Sequence, residues 1–156
     1  MEFQPTSILL VEDEEAHAQL TVRAIRKAGN ANRIEVVHDG EQALDYLFNR
    51  GKFSDHAKYP RPGLVLLDIK LPGIDGIEVL KQVKEDTVLR RIPVIMLTTS
   101  EREEDIAESY GHHANSYLTK PVGFKEFEDK VRQLDAYWML VNEPPTYISC
   151  ALRANA

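Results

Sequence analysis

The stretch 64-LVLLDIKLPG-73 decides the fold, because four apolar residues run straight into a lone carboxylate and then into a Pro-Gly turn. An unbroken apolar run is typical of a strand in a parallel sheet that is covered on both faces. Ending such a strand on Asp68 costs free energy unless a neighbouring group compensates the charge. The stretch therefore predicts a buried strand whose carboxyl end carries a functional acid.

Polar residues follow three more predicted strands in the same way. These stretches and the residues that follow them are 8–11 with Glu12 and Asp13, 94–97 with Thr98, and 116–119 with Lys120. Ligands of open α/β sheets bind at the carboxyl edge of the strands. An acid pair, a lone Asp, a hydroxyl and a Lys at that edge favour metal-assisted phosphoryl acceptance.

Short apolar strands alternate with helical patterns along the chain, which predicts repeated βαβ units. Right-handed crossovers restrict the topology to a few choices. We expect a flavodoxin-like, doubly wound α/β fold with a five-stranded parallel sheet in the order 2-1-3-4-5 and five helices. The predicted strands are 7–11, 33–37, 64–67, 93–97 and 115–118.

The helices are predicted from apolar residues at steps of three and four. The first begins near Glu14, ends at Gly29 and is expected to bury Leu20, Ala24, Ile25 and Ala28. The inward residues of the next two are Ala43, Leu44, Leu47 and Phe48, and then Ile77, Leu80 and Val83. Helix 4 is expected at 103–110 and helix 5 at 124–141, while 49–63 is a polar stretch longer than most connections.

Composition excludes several classes of function. The 156 residues suggest one domain, and 19 basic against 25 acidic residues give a net charge of −6 without a basic run, so we expect no direct nucleic-acid partner. The apolar runs are too short to span a bilayer, and residues 1–7 do not resemble a signal peptide. The single cysteine, Cys150, cannot form an intramolecular disulfide, which favours the cytoplasm.

Four motifs together resemble the receiver domain of two-component response regulators. In chain order they are VED at 11–13, LD at 67–68 with LPGIDG at 71–76, LT at 97–98, and YLTKP at 117–121. The resemblance covers residues 6–140 and implies a receiver domain at 1–141. The remaining tail, 142–156, is too short for an output domain and is a candidate dimer arm.

The acids predict a magnesium site, because Mg²⁺ prefers oxygen ligands and keeps several waters. Asp13 and Asp68 suit direct ligation, and the longer Glu12 suits contact through a water. The resemblance implies the backbone carbonyl of Lys70 as a further ligand. The alternative for Glu12 and Asp13 is an acid run that stabilises the start of a helix.

Asp68 is the expected phosphoacceptor, forming an aspartyl phosphate. The Thr98 hydroxyl and the Lys120 ammonium are expected to contact the phosphoryl group, whose negative charge they would stabilise. The alternative for Asp68 is an Asx-turn acid that leads into Pro72. The resemblance also implies a switch, in which Thr98 moves toward the phosphoryl group and Tyr117 fills the vacated space; the alternative is a Tyr117 with its hydroxyl in solvent.

The partners follow from a narrower resemblance. The long stretch 49–63, the segment 117–121 and the residues 137–139 look like the small regulators paired with bacterial phytochrome histidine kinases. This implies a sensor histidine kinase of phytochrome type as partner. It also implies a homodimer through helix 4, strand 5, helix 5 and the tail, with interface residues Tyr117, Phe127, Trp138 and Val141. The alternative is a disordered tail with scattered apolar residues.

Two other functions compete with the response regulator. A small Mg²⁺-dependent hydrolase could form the same aspartyl phosphate, but such enzymes need a second Asp two residues after the nucleophile, where this chain has Lys70. A phosphorylation-independent docking module would not need the acids, Thr98 and Lys120 together. We therefore expect a non-enzyme that catalyses only its own phosphorylation and dephosphorylation.

Overall fold

A parallel sheet organises the part of the chain that the structure describes. The computed structural model describes residues 7–27, 32–98, 102, 116–119 (backbone only), 125–126, 128–130 and 132–133. The strands are β1 (Ile8–Val11), β2 (Ile34–Val37), β3 (Leu64–Asp68), β4 (Val94–Thr98) and β5 (Ser116–Thr119). They pair in parallel in the order β2-β1-β3-β4-β5. The predicted flavodoxin-like α/β arrangement with a parallel sheet is confirmed.

The described residues include the helices α1 (Glu15–Lys27), α2 (Gly40–Leu47) and α3 (Gly76–Glu85). Asp39 and Asp75 cap α2 and α3, each accepting a hydrogen bond from a backbone N–H in the first turn. Short 3₁₀ turns lie at Gly51–Phe53 and Leu89–Arg91. No helix among the described residues combines the length and the apolar character needed to cross a bilayer.

The core lies on both faces of the sheet, because alternate strand residues point to opposite sides. Leu9 and Val11 belong to a cluster with residues of α2 and α3, whereas Ile8 and Leu10 belong to a second cluster with α1. All four β1 residues are buried. β1, β3 and β4 are buried along their whole length, as expected for strands covered on both faces, whereas β2 includes Glu35 and is only partly buried.

One predicted inward residue of α1 is wrong. Leu20 is 37% exposed, and α1 instead buries Ala18, Thr21, Ala24 and Ile25. At 3.6 residues per turn these four share one face, and Leu20 lies at its edge. Thr21 is tolerated there because its hydroxyl donates to the backbone oxygen of His17 at 2.9 Å.

Other predictions lie outside the described residues. They are helix 4 at 103–110, the end of helix 5 with the tail 142–156, and Ala28. Residues 125–126, 128–130 and 132–133 are helical, at the position predicted for helix 5. Glu128 is buried there, and its carboxylate forms an ion pair with the ammonium group of Lys27 of α1 at 3.3 Å.

Candidate functional site

Three carboxylates meet at the carboxyl edge of the sheet. Val11 of β1 pairs with Leu67 of β3, so the next residues, Glu12 and Asp68, lie side by side on neighbouring strands. One carboxylate oxygen from each of Glu12, Asp13 and Asp68 lies within 4.8 Å of the others. The structure thus brings together the three acids that the strand ends predicted.

The cluster concentrates negative charge away from water. Glu12 has no exposed surface and Asp68 is 5% exposed, whereas Asp13 is exposed. Three carboxylates that converge from two buried positions and one exposed position therefore form a donor set for a hard cation that enters from solvent.

Two histidines border the acids and were missed by the sequence analysis. His17 Nδ1 lies 3.6 Å from Glu12 Oε1 and 3.3 Å from Glu14 Oε2. His38 Nδ1 lies 3.1 Å from the Glu12 backbone oxygen. The strand-end argument could have found His38, because it follows β2 as Glu12 follows β1, and Val11 pairs with Val37.

The loop after β3 positions Asp68. The backbone N–H of Lys70 donates to Asp68 Oδ1 at 3.3 Å, which is the Asx-type contact that the alternative interpretation of Asp68 predicted. The contact coexists with the acid cluster, so the two interpretations are compatible. Gly73 has a φ of 73°, which favours glycine, and the Gly76 N–H closes the loop on the Ile69 oxygen at 2.9 Å. The Lys70 side chain is exposed.

Thr98 ends the next strand and is fully buried. Asp68 pairs with Leu97, so Thr98 lies one position beyond Asp68 on the neighbouring strand. Thr98 pairs in turn with Thr119 of β5, the residue before Lys120. The hydroxyl-bearing residue therefore lies on the strand beside the acid, at the same edge of the sheet.

Several predicted site residues have side chains outside the described part of the structure. Tyr117 lies in β5, where only the backbone is described. The residues outside the described ranges are Lys120, Phe127, Trp138 and Val141. Their predicted roles at the phosphoryl group and at an interface stay predictions.

The chain matches one protein family and several proteins of similar length. Residues 8–132 match the response regulator receiver domain. Probable methanogenesis regulatory protein FilR2 of Methanothrix harundinacea is 44% identical, over 90% of this chain and 88% of that protein. Response regulator Rcp1 of Synechocystis is 38% identical, over 86% of this chain and 90% of that protein.

Solved structures agree with this assignment. The phosphorylated cyanobacterial phytochrome response regulator RcpA is 37% identical with a TM-score of 0.79, covering 87% of this chain and 95% of that one. The Mn²⁺-bound form of Rcp1 is 38% identical with a TM-score of 0.76, covering 86% and 94%. The bacteriophytochrome response regulator RtBRR is 43% identical with a TM-score of 0.76, covering 97% and 91%. With its acid cluster at the carboxyl edge of a parallel sheet, this chain belongs to the response regulator receiver domain family.

Proposed function

We propose that this protein is a response regulator that accepts a phosphoryl group from a sensor histidine kinase on Asp68, in the presence of Mg²⁺. The observation that carries the proposal is the convergence of Glu12, Asp13 and Asp68 within 4.8 Å, beside the strand that ends in Thr98. A hydroxyl and a buried acid on adjacent strand ends suit phosphoryl transfer, where catalysis is mostly positioning and charge stabilisation.

The donor set fits magnesium. Carboxylate oxygens are the ligands that Mg²⁺ prefers, and an exposed Asp13 leaves room for the waters that the ion keeps. Asp13, Asp68 and the Lys70 backbone carbonyl would bind the ion directly, and Glu12 would bind it through a water. When bound, the ion would neutralise part of the phosphoryl charge.

Asp68 would act as the nucleophile. One of its carboxylate oxygens forms the new P–O bond while the P–N bond of the kinase phosphohistidine breaks and the electron pair returns to the imidazole. The Thr98 hydroxyl would donate to a phosphoryl oxygen, and the Lys120 ammonium would contact another. The protein would catalyse only the formation and the hydrolysis of its own aspartyl phosphate. It would therefore not act as an enzyme on a separate substrate.

The output would be a change of a protein surface. Thr98 and Tyr117 would act as the switch between the phosphoryl group and the face built by helix 4, β5 and helix 5. That face, with Phe127, Trp138, Val141 and the tail 142–156, would form a homodimer, in a receiver of five helices spanning 1–141. Closed homodimers use one patch twice, which suits the apolar end of helix 5.

The kinase would be of the bacterial phytochrome type, in the cytoplasm. The support is the likeness to RcpA and RtBRR, whose names associate those proteins with phytochromes. A net charge of −6 supports a protein partner over nucleic acid.

Incubation with a small acyl phosphate and Mg²⁺ tests the proposal. Stoichiometric, base-labile label on Asp68, found by mass spectrometry, supports the regulator. Continuous release of phosphate without a stable label would support a hydrolase, and no label would support a docking module. Faster labelling by a purified phytochrome kinase than by an unrelated histidine kinase then tests the pairing.

A further inference from the structure

The connection between α2 and β3 is a built structure rather than a simple polar linker. We call residues 49–63 the basic loop. Asn49 takes a left-handed backbone with a φ of 52°, and its side-chain amide donates to the Phe53 oxygen at 3.1 Å and to the Tyr59 oxygen at 2.9 Å. One side chain therefore ties two turns of the loop together.

Three aromatic rings anchor the basic loop to the core. The ring centroids of Tyr46 and Phe53 are 5.1 Å apart, and those of Phe53 and Tyr59 are 5.0 Å apart, in edge-to-face geometry. Tyr46 is fully buried in α2, and its hydroxyl donates to the Pro60 oxygen at 3.2 Å. Tyr46 of α2 thus contacts both halves of the loop, at Phe53 and at Pro60.

Two lysines lie on this aromatic base. Lys52 Nζ lies 5.0 Å from the Phe53 ring centroid, and Lys58 Nζ lies 5.4 Å from that of Tyr59. Cation–π contact restricts where each ammonium group can go while leaving it in water. The charges are therefore presented at defined positions, which lowers the entropy lost when a partner binds.

The sign of the charge is opposite to that of the rest of the molecule. The basic loop holds four Lys or Arg residues and one acid, a net charge of +3 in a chain of −6, which leaves −9 for the other residues. The single acid, Asp55, accepts hydrogen bonds from the backbone N–H groups of Ala57 and Lys58. Its carboxylate is thus already engaged within the loop.

Two of the four cations, Lys52 and Lys58, are available for a partner, and a third, Arg61, is exposed but lowers the pKa of Asp86 through its charge. Arg50 pairs with Asp45 at 3.4 Å. Lys52, Lys58 and Arg61 are exposed, and within the described ranges no carboxylate lies at ion-pair distance from them. Rigid, unneutralised cations on an acidic protein are a feature that stability alone does not require, because exposed charges contribute little to it.

The basic loop lies far from the acid cluster. It leads into Leu64, the first residue of β3, whereas Asp68 is the last. A five-residue strand separates its two ends by about 13 Å at roughly 3.3 Å per residue. A partner at the basic loop would not compete with the chemistry at Asp68.

We propose that the basic loop is a docking surface for an acidic segment of a partner protein. Charge complementarity across an interface favours such a segment and speeds the encounter. Nucleic acid is disfavoured because a long polyanion would extend beyond the loop onto surface whose charge is −9, whereas a short acidic segment would contact the loop alone. A membrane is disfavoured because an extended anionic lipid surface would also face the −9 on the rest of the chain, and Phe53 is buried instead of projecting from the loop.

The test is fluorescence anisotropy with a fluorescein-labelled hexaglutamate peptide. At an ionic strength of about 0.01 M we expect the intact protein to bind the peptide, and to bind it less tightly at about 0.15 M. A Lys52→Glu/Lys58→Glu protein should bind at least about tenfold more weakly. The neutral Lys52→Gln/Lys58→Gln protein should show an intermediate loss, which guards against a loop disrupted by charge reversal.

A matched control separates the effect of the loop lysines on peptide binding from the effect of the net charge of the protein. Lys81→Glu/Lys125→Glu alters two exposed lysines outside the loop and changes the net charge equally. It should retain peptide binding within about twofold. All variants should be labelled on Asp68 by acyl phosphate as the intact protein is, so a failure of docking and a failure of phosphoryl acceptance are distinguishable.

Three results would overturn the proposal. They are no binding of hexaglutamate, an equal loss in the control and loop variants, and tighter binding of single-stranded DNA or of phosphatidylserine vesicles than of the peptide.

Discussion

Gly76 and Asp68 lie so close that no side chain fits between them. A Cβ on Gly76 would come within 2.1 Å of the Asp68 backbone oxygen and 2.9 Å of the Ile69 Cα. The first residue of α3 is therefore packed directly against the end of β3. This contact fixes the position of the Asp68 backbone, which carries the carboxylate.

Gly76→Ala should destabilise the protein by about 3 kcal/mol in urea unfolding, because the methyl group overpacks against backbone. Alanine otherwise stabilises a helix by about 1 kcal/mol relative to glycine, so a loss of stability in this variant would indicate overpacking. Gly51→Ala is the control, because Gly51 has open space and a φ of 57°. It should cost only about 1 kcal/mol, from its left-handed backbone. An equal loss in both variants would contradict the packing argument.

Asp68→Asn should abolish labelling by acyl phosphate and still raise the free energy of unfolding in the absence of Mg²⁺ by about 1 kcal/mol. The amide keeps the shape while removing one of three clustered charges. Chemical unfolding with and without Mg²⁺ measures the second effect. Asp129→Asn, at an exposed helical position, should leave both properties unchanged. Labelling of the Asp68→Asn protein at the normal rate would exclude Asp68 as acceptor.

Asp13→Ala should weaken Mg²⁺ binding. A ligand at about 100 times its Kd adds about 2.7 kcal/mol to the free energy of unfolding, so the intact protein should show a clear rise in Tm with Mg²⁺. The Asp13→Ala protein should show little rise, whereas Glu85→Ala, which removes an exposed acid from the end of α3, should show the normal one. An undiminished shift in the Asp13→Ala protein would remove this residue from the ligand set.

Asp86 should make stability depend on acid pH. Hydrogen bonds from the backbone N–H groups of Leu89 and Val88, each 2.9 Å long, hold the pKa of Asp86 below its ordinary value of 3.8. A depressed folded-state pKa gives a stabilisation that is present above the unfolded pKa and is lost as pH falls through the folded one. The advantage of the intact protein over Asp86→Asn in urea unfolding should therefore shrink as pH falls below about 4. A pH-independent difference would contradict this assignment.

Tyr46→Phe should lower the free energy of unfolding by about 1–2 kcal/mol, because the Pro60 oxygen loses its donor. Burial, as the largest cause, raises the pKa of Tyr46 above its ordinary value of 10.0. The contribution of Tyr46 is thus present below pH 10 and is lost as pH rises through the folded pKa. Tyr59→Phe should change stability less, since the Tyr59 hydroxyl makes no hydrogen bond within the described residues. Ultraviolet titration of the phenols and urea unfolding measure both effects.

The sheet and its acids were predictable because buried parallel strands leave a local signal. β3 was expected at 64–67 and extends one residue further, to Asp68, and the acid positions follow from strand ends that share an edge. The burial of Leu20 was predicted wrongly and that of Tyr46 was not predicted, because neither follows from the local sequence pattern. The pattern of α1 tolerates Leu20 at the edge of its buried face, and Tyr46 is covered by Phe53 and Tyr59 of the basic loop.

The basic loop itself was expected only as a polar stretch. Its order comes from Asn49 and from three rings at irregular spacing, and neither leaves a periodic pattern. The predicted roles of Lys120 and Trp138 depend on residues beyond the described ranges, so the sequence remains their support.

The two ends of β3 carry charge of opposite sign, with the three clustered carboxylates at its carboxyl end and the basic loop before its first residue. This separation contributes a component along β3 to the dipole moment of the protein. A charged surface that approaches in solution therefore exerts a torque and turns the molecule before any contact forms. A cationic partner meets the carboxylate end first and an anionic one meets the loop first, so the sign of a partner's charge selects which end of the sheet it encounters.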